Sequence, residues 1–519
     1  MPETARRTDR WIDRLSPRWF AAGAGLVACL VTLYFFCPRF YVWRGLDLLA
    51  DEQPRSEFFA AVASHPEINR AIIVLAQLKN PEIKFESTSN EAVNWRPFFP
   101  RLGHTLGLSA TTLLSLTFVG CWAAAVLIAA VMARQLGDRV QAFWATLLAC
   151  ASAWFFVSTS WLSYNDSWTV LGLVTVTFVR SRWALAVACF LECWIDERFL
   201  FALPTALILR TFVQVRDTTW LQTFTYDTAT AAAAAAPYLL ARLSAHFGDT
   251  DPKATEQVAA GASAAAVPFV RYLEGAWAGL RCNWLFVGVW AWLAARTQPR
   301  WWSAMAIGGT LISLLVALRS DGDLHRSAGM FVVVALAGIA MLHRARPALC
   351  AKAIPVMALI SLALPASHVI TVFKIPIYGA TVEWDRSHTA LPANLTPEFY
   401  SDRGVRLWNE KKLDRALFHF DFALKIDPNY RPAIVYKSIV MVDMARYKEA
   451  LAVLDPALRD HPDWPDAYYM RGRCREQLAD PRGALEDYER AVRQAPAESE
   501  IRKQAERAAQ RLRDSLPAR

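Results

Sequence analysis

From Trp19 to Phe373 the chain repeats one pattern: an apolar run about as long as a bilayer core requires, then a short polar turn in which arginines recur on alternate turns. Trp19 to Cys37 is the first run, preceded by Arg6, Arg7, Arg10, Arg14 and Arg18, which places the N-terminus on the cytoplasmic side. No small-residue cleavage site follows it, and CPRFYVW has the character of an interfacial anchor, so the run is expected to be a permanent helix. Residues 38–104 form a long external loop with an amphipathic run at Ile68 to Leu78 and a proline-rich return at Asn94 to His104. Leu106 to Ala133 goes back to Arg134 and Arg139, Val140 to Trp161 emerges at Ser163-Tyr164-Asn165-Asp166, and Ser167 to Val179 returns to Arg180 and Arg182.

Trp183 to Thr211 is interrupted by Asp196-Glu197-Arg198. Because Arg180 and Arg182 before it and Arg210 and Arg216 after it should share one side, it is expected to be a hairpin. Leu221 to Leu243, Ala276 to Ala295, Trp301 to Leu318, Ser327 to Leu342 and Ile354 to Phe373 complete about 11 crossings, with a second external loop at 244–274 and the C-terminal region outside. From Glu398 the pattern changes to a period of 34 residues. Gly404, Ser438 and Gly472 align, as do Ala416, Ala450 and Ala484; Phe420, Leu454 and Tyr488; Ala423, Ala457 and Ala491; and Pro428, Pro462 and Pro496. This resembles the tetratricopeptide repeat (TPR), in which small residues let paired helices approach and proline closes each unit. The expected fold is therefore all-α: cytoplasmic residues 1–18, a polytopic helical membrane domain over 19–393, and a TPR α-solenoid over 394–519. The solenoid has units 397–430, 431–464 and 465–498 and a capping helix at 499–515. Such arrays bind proteins or peptides on a concave face.

Composition changes this picture little. Of 519 residues 54% are apolar and 20% charged, with 21 tryptophans and a mean hydropathy of +0.19, which is too apolar for an ordinary soluble enzyme. The net charge of +9 sits mostly in arginine clusters between apolar runs, so it reads as topology and not as a nucleic-acid surface. Eight of the nine cysteines lie in or beside apolar runs and Cys474 stands in the tail, so no disulfide framework is visible.

Several features together resemble the GT-C glycosyltransferases. They are an acidic stretch after the first helix (YVWRGLDLLADEQPRSE), the proline-aromatic return, the turn ARQLGDR, an outward helix ending in YNDS, and ALAVACFLECWIDERFLFALP. With the repeats, the chain is similar to the transmembrane-and-tetratricopeptide protein O-mannosyltransferases. The resemblance implies a polyprenyl-phosphate-linked sugar as donor, membrane lipid as surroundings, and transfer on the extracytoplasmic face of the inner or plasma membrane.

Attack of an acceptor hydroxyl on the sugar C1 needs a carboxylate to take its proton and cationic groups or a metal to stabilise the leaving phosphate. The matching positions are Asp51 and Glu52, with Asp47 as competitor, and solvated loop charge is their plain alternative. Asp166 stands where some members carry an acidic residue for metal or acceptor positioning, and a helix N-cap is its other reading. Arg198, beside Glu197 at the hairpin tip, is the first candidate for the lipid phosphate; Arg281 is the second, or a snorkelling arginine. Arg96 and Arg101, among Trp95, Phe98 and Phe99, are placed to meet a phosphate at the interface or to serve as ordinary interfacial anchors, the plainer reading, and Arg319, His325 and Arg326 read as solvated turn charge. A divalent metal ion is the one cofactor left open. Two other readings remain: a non-catalytic membrane scaffold displaying the repeats for envelope assembly, and a lipid-linked polysaccharide ligase or polymerase.

Overall fold

The computed structural model describes residues 11–38, 69–83, 96–214, 220–248, 269–320, 323–369, 374–383, 397–409, 411 and 413–515. The chain divides into two compact units, Met1–His388 and Thr389–Arg519.

In the first unit the described helices are α1 (Pro17–Phe35), α2 (Asn69–Lys79), α3 (Phe98–Leu106), α4 (Ala110–Leu136), α5 (Arg139–Cys150), α6 (Ala153–Ser160), α7 (Asp166–Phe178), α8 (Arg182–Ile195), α9 (Phe199–Gln214), α10 (Trp220–Gly248), α11 (Phe269–Leu280), α12 (Trp284–Thr297), α13 (Arg300–Ser320), α14 (Leu324–Gly329), α15 (Val332–Ala345) and α16 (Pro347–Ala363). Several ends are set by their own residues. Ser109 and Asp138 accept amide bonds at the starts of α4 and α5, and Gly137, at φ 62°, closes α4 in the left-handed conformation that glycine adopts without steric cost.

Small residues set the closest helix approaches. A Cβ at Gly120 of α4 would stand 2.5 Å from Ser167 Oγ of α7, and one at Gly338 of α15 would overlap the carbonyl oxygen of Phe286 on α12. The helix α4 packs on α1, α5 and α7, while α7 packs on α8 and α9.

The interrupted segment folds as a hairpin. Both α8 and α9 run along α7, and the far ends are tied together where Asp227 accepts from Arg182 Nε (3.1 Å) and Arg210 Nε (2.7 Å). Arg210 also donates to the carbonyls of Val176 (2.8 Å) and Arg180 (3.0 Å), satisfying acceptors that the C-terminus of α7 leaves open. The tip at residues 196–198 thereby lies at the level where α7 begins.

Two expectations are corrected here. Among the described residues four helices are long and apolar enough to cross a membrane, Pro17–Phe35, Ala110–Leu136, Arg300–Arg319 and Leu324–Ala345, or five if the bent pair α5 and α6 is one span, against about 11 read from the pattern. The reason is that several apolar runs are divided: α5 and α6 meet at 58°, and α7 is only 13 residues long. The last run also stops being helical at Ala363. It continues as β1 (Ala366–Val369), antiparallel to β2 (Lys374–Ile377) with Ala366 opposite Ile377, so among the described residues the fold is helical apart from this one strand pair.

The second unit consists of α17 (Pro397–Asn409), α18 (Leu413–Ile426), α19 (Arg431–Asp443), α20 (Tyr447–Asp460), α21 (Pro465–Gln477), α22 (Pro481–Gln494) and α23 (Glu500–Ser515). Paired helices cross at the aligned small positions: a Cβ at Gly404 would stand 2.6 Å from the Phe420 ring, and one at Gly472 2.7 Å from the Tyr488 ring. Ala416, Ala450 and Ala484 are fully buried. The final helix covers the last pair, burying Ala508, Ala509 and Leu512 against Ala484 and Tyr488. Burial pushes the Cys474 thiol up to about 11.

Candidate functional site

The turn from Trp161 to Asn165 and the start of α7 are built so that Asp166 faces inward. Ser158 Oγ accepts the Ser167 amide (2.9 Å), Ser167 Oγ donates to Thr117 O (3.0 Å), and Trp168 Nε1 donates to Leu116 O (3.0 Å), which fixes the helix start against α4. Asp166 is the first residue of α7 and does not cap it. Its carboxylate accepts instead from two arginines brought from distant sequence: Arg198 Nη2 at 3.0 Å, and Arg326 through Nε at 3.1 Å and Nη2 at 2.9 Å.

The cluster extends from there. Arg198 holds Asp196 through Nε (2.9 Å), and Arg326 Nη1 reaches Asp323 (2.6 Å) while its guanidinium lies 4.1 Å from the Tyr164 ring centroid. Arg96, just before α3, forms a two-point pair with Glu197 (2.9 and 2.8 Å) and lies 3.3 Å from Asp196. Three guanidinium groups thus face four carboxylates inside an apolar unit. The side chains of Asp166, Asp196, Arg198 and Arg326 are at most 2% exposed, whereas Glu197 is 19% exposed.

Burial without pairing would cost several kcal/mol per charge, about the penalty that continuous pairing offsets. Next to the cluster, His325 Nδ1 lies 2.8 Å from the Val369 carbonyl of β1 and Nε2 lies 3.1 Å from His368 Nδ1, under the Trp161 ring.

The structure therefore brings together three of the residues singled out from the sequence, Asp166, Glu197 and Arg198. Arg281 is engaged elsewhere. At φ 54° it donates to the carbonyls of Pro365 (2.9 Å) and Leu364 (2.6 Å) and to Ser361 O, closing the C-terminus of α16, with its guanidinium 4.9 Å from the Phe36 ring centroid. It is neither snorkelling nor open to a phosphate. Asp47, Asp51 and Glu52 lie outside the described residues. His325 and Arg326 are fully buried, which corrects their reading as solvated charge.

Asp166 does not fit a divalent cation, because both of its oxygens are already held by guanidinium groups whose charge would repel one. Among the described residues no three His, Cys, Asp or Glu side chains converge as a cation-binding set. No step is assigned to a metal.

Two members of the cluster, Arg96 and Arg326, read from the sequence chiefly as an interfacial anchor and as solvated turn charge. The one local signal for Arg326 was Asp323 three residues earlier, a spacing that brings two side chains together on a helix. Arg96 also lines a half-open pocket of about 380 Å³, counting the open solvent at its mouth. Val74 of α2, Phe99 and Pro100 of α3, and Leu113 and Leu114 of α4 form apolar walls; Thr117, Ser163 and Asn165 complete it.

The repeat unit has a recognisable class. Residues 407–474 match the tetratricopeptide repeat family. A protein partner is what such an array implies. No curated protein matches the chain. Among solved structures it is similar to MamA, residues 41 to the end, from Desulfovibrio magneticus RS-1, at 25% identity over 26% of this chain and 84% of that one, with a TM-score of 0.20.

Proposed function

We propose that the chain is a membrane glycosyltransferase of GT-C type. It takes a sugar from a polyprenyl-phosphate carrier on the extracytoplasmic side, and its tetratricopeptide array holds the protein partner or acceptor. The observation that carries the reading is the charge cluster centred on Asp166 and Arg198, buried in an apolar helical unit beside a pocket. Ionisable groups at such depth are expensive, and they mark functional sites more often than anchors. In this reading Asp51, with Glu52 and Asp47 near it, takes the acceptor proton, and the cluster fixes the hairpin tip against α7 so that the cationic groups keep their places.

The complete pairing of the cluster favours a second reading, a non-catalytic scaffold in which the charges only pin the helices.

The two readings separate in one assay. Full-length protein in nanodiscs, given polyprenyl-phosphate [14C]mannose or [14C]glucose with membrane extract as acceptor, is expected to move label out of the lipid, and Asp51→Asn is expected to stop it. Equal label retention with and without the wild-type protein, for both lipids, leaves the scaffold.

The reading also requires the array to lie outside. All nine cysteines are buried and free, so the wild type should be nearly inert to an impermeant maleimide. Ala452→Cys, on an exposed position of α20, should label on intact cells. Labelling that needs permeabilisation would put the array on the cytoplasmic side and detach it from any external acceptor.

A further inference from the structure

Within the repeat unit the two helices of each pair are not equivalent. Helix α17 packs on α19, α19 on α21 and α21 on α23, whereas α18, α20 and α22 make no comparable contact with one another. The first helices therefore line the inner, shorter side of the array, the side a solenoid offers to a partner.

Away from the buried small positions, residues three and four apart share one face of each first helix. Val405, Val435, Ile439 and Tyr469 lie half-buried along the middle of that face. Glu398 and Asp466 stand in the first turns of α17 and α21, Asp402 follows one turn on, and Asp443 closes α19. Negative charge thus lies at both rims, about 16 Å apart along the helix axes.

These four carboxylates differ from those that join neighbouring helices. Asp421 meets Lys437 (2.6 Å), Asp455 meets Arg471 (3.1 Å) and Asp487 meets Arg471 (2.7 Å). On the inner face Asp443 accepts from Trp408 Nε1 (2.7 Å), and Glu398, Asp402 and Asp466 take part in no ion pair among the described residues. Trp408 is half-exposed beside Asp443, with its ring 6.1 Å from that of Tyr436. An aromatic face next to a carboxylate favours a lysine or arginine over an uncharged side chain. Among the described side chains of this face Arg473 is the one cation.

We propose that the inner face of the array binds a segment of a partner protein that carries lysine or arginine on either side of an apolar centre. The apolar side chains lie along the middle of the face and the cations meet the unpaired carboxylates at its rims. Charge complementarity selects this occupant, because an acidic segment would set like charges against both rims. The inference deepens the reading of the array as the protein-binding part, and it holds whether or not the first unit transfers sugar.

The test is selection from a random heptapeptide library displayed on phage, against the full chain in phosphatidylcholine nanodiscs after depletion on empty discs. Peptides with lysine or arginine flanking apolar residues should be enriched. One of them, made with a fluorescein label, should bind more weakly as salt is raised. It should also bind at least about 10-fold more weakly to the variant Glu398→Lys, Asp402→Lys, Asp443→Lys. Asp414→Lys with Glu486→Lys, at exposed positions of α18 and α22, is the control and should bind within about 2-fold of wild type. The same peptide with glutamate in place of its basic residues should not bind wild type, a result that needs no variant to fold.

Enriched peptides that are acidic or uncharged overturn the charge assignment and leave the array a peptide binder. Basic peptides that bind the charge-reversed variant as well as wild type, or that are lost equally in the control, overturn the inner face as their site. No enrichment over empty discs overturns this inference together with the peptide-binding reading of the array, and the sugar-transfer assay bears on neither.

Discussion

Asp166→Ala is expected to lower the stability of the first unit by about 3–5 kcal/mol, the range found when one partner of a buried ion pair is removed. Here the effect falls at the upper end because one carboxylate serves two guanidinium groups, Arg198 and Arg326, whose side chains are at most 2% exposed. The measurement is a thermal melt of the full chain in detergent, read by a thiol-reactive fluorophore, since all nine cysteines are buried until the fold opens.

Asp166→Asn, which still accepts hydrogen bonds, should lose about half as much. The double variant Asp166→Ala with Arg326→Leu should lose less than the sum of its parts, because the Arg326 Nε and Nη2 groups that Asp166 satisfied are no longer left buried. Additive losses, or a midpoint within about 1 kcal/mol of wild type for Asp166→Ala, would show that water reaches the cluster and that it is not the closed network described here.

The second large effect is expected at Gly338. On α15 this residue meets α12 so closely that a Cβ would overlap the Phe286 carbonyl oxygen and come within 3.2 Å of Trp290 Cβ. Backbone cannot move aside as a side-chain tip can, so Gly338→Leu should force the two helices apart and cost about 3 kcal/mol or more. Gly288→Leu on α12, where nothing lies within 4 Å of the added Cβ, is the control and should melt near wild type. If both variants melt alike, the approach of α12 to α15 does not depend on a missing side chain.

The repeat array was the most legible part of the chain. Gly404, Gly472, Ala416, Ala450 and Ala484 recur at fixed spacing because a helix pair can close only where its side chains are small, and that requirement is local. The hairpin break at Asp196-Glu197-Arg198 was legible for a similar reason, since three adjacent charges interrupt an apolar helix.

The number of crossings was not, because the bend between Cys150 and Ala153 leaves the apolar pattern unbroken while dividing the helix. The buried charge cluster was half legible. Asp166 and Arg198 announce themselves as charges in apolar surroundings. Arg326 sits in RSDGDLHR, which has the composition of an exposed turn, and only folding shows that the turn is swallowed by the core. No local pattern links position 326 to position 166. Arg96, among aromatic residues, has the signature of an interfacial anchor and acquires its partner only when Glu197 arrives from the tip of the hairpin.

The spacing of these partners has a consequence for synthesis. Asp196 and Arg198 are two residues apart and can pair as soon as they leave the ribosome, but Arg326 reaches Asp166 only after 160 further residues have been made. Until then Asp166 has only the partner that the hairpin brings, Arg198, and its second carboxylate oxygen has no guanidinium to meet. A chain that stalls or is cut before Arg326 therefore keeps a half-paired carboxylate in an apolar core, a physical mark of its own incompleteness.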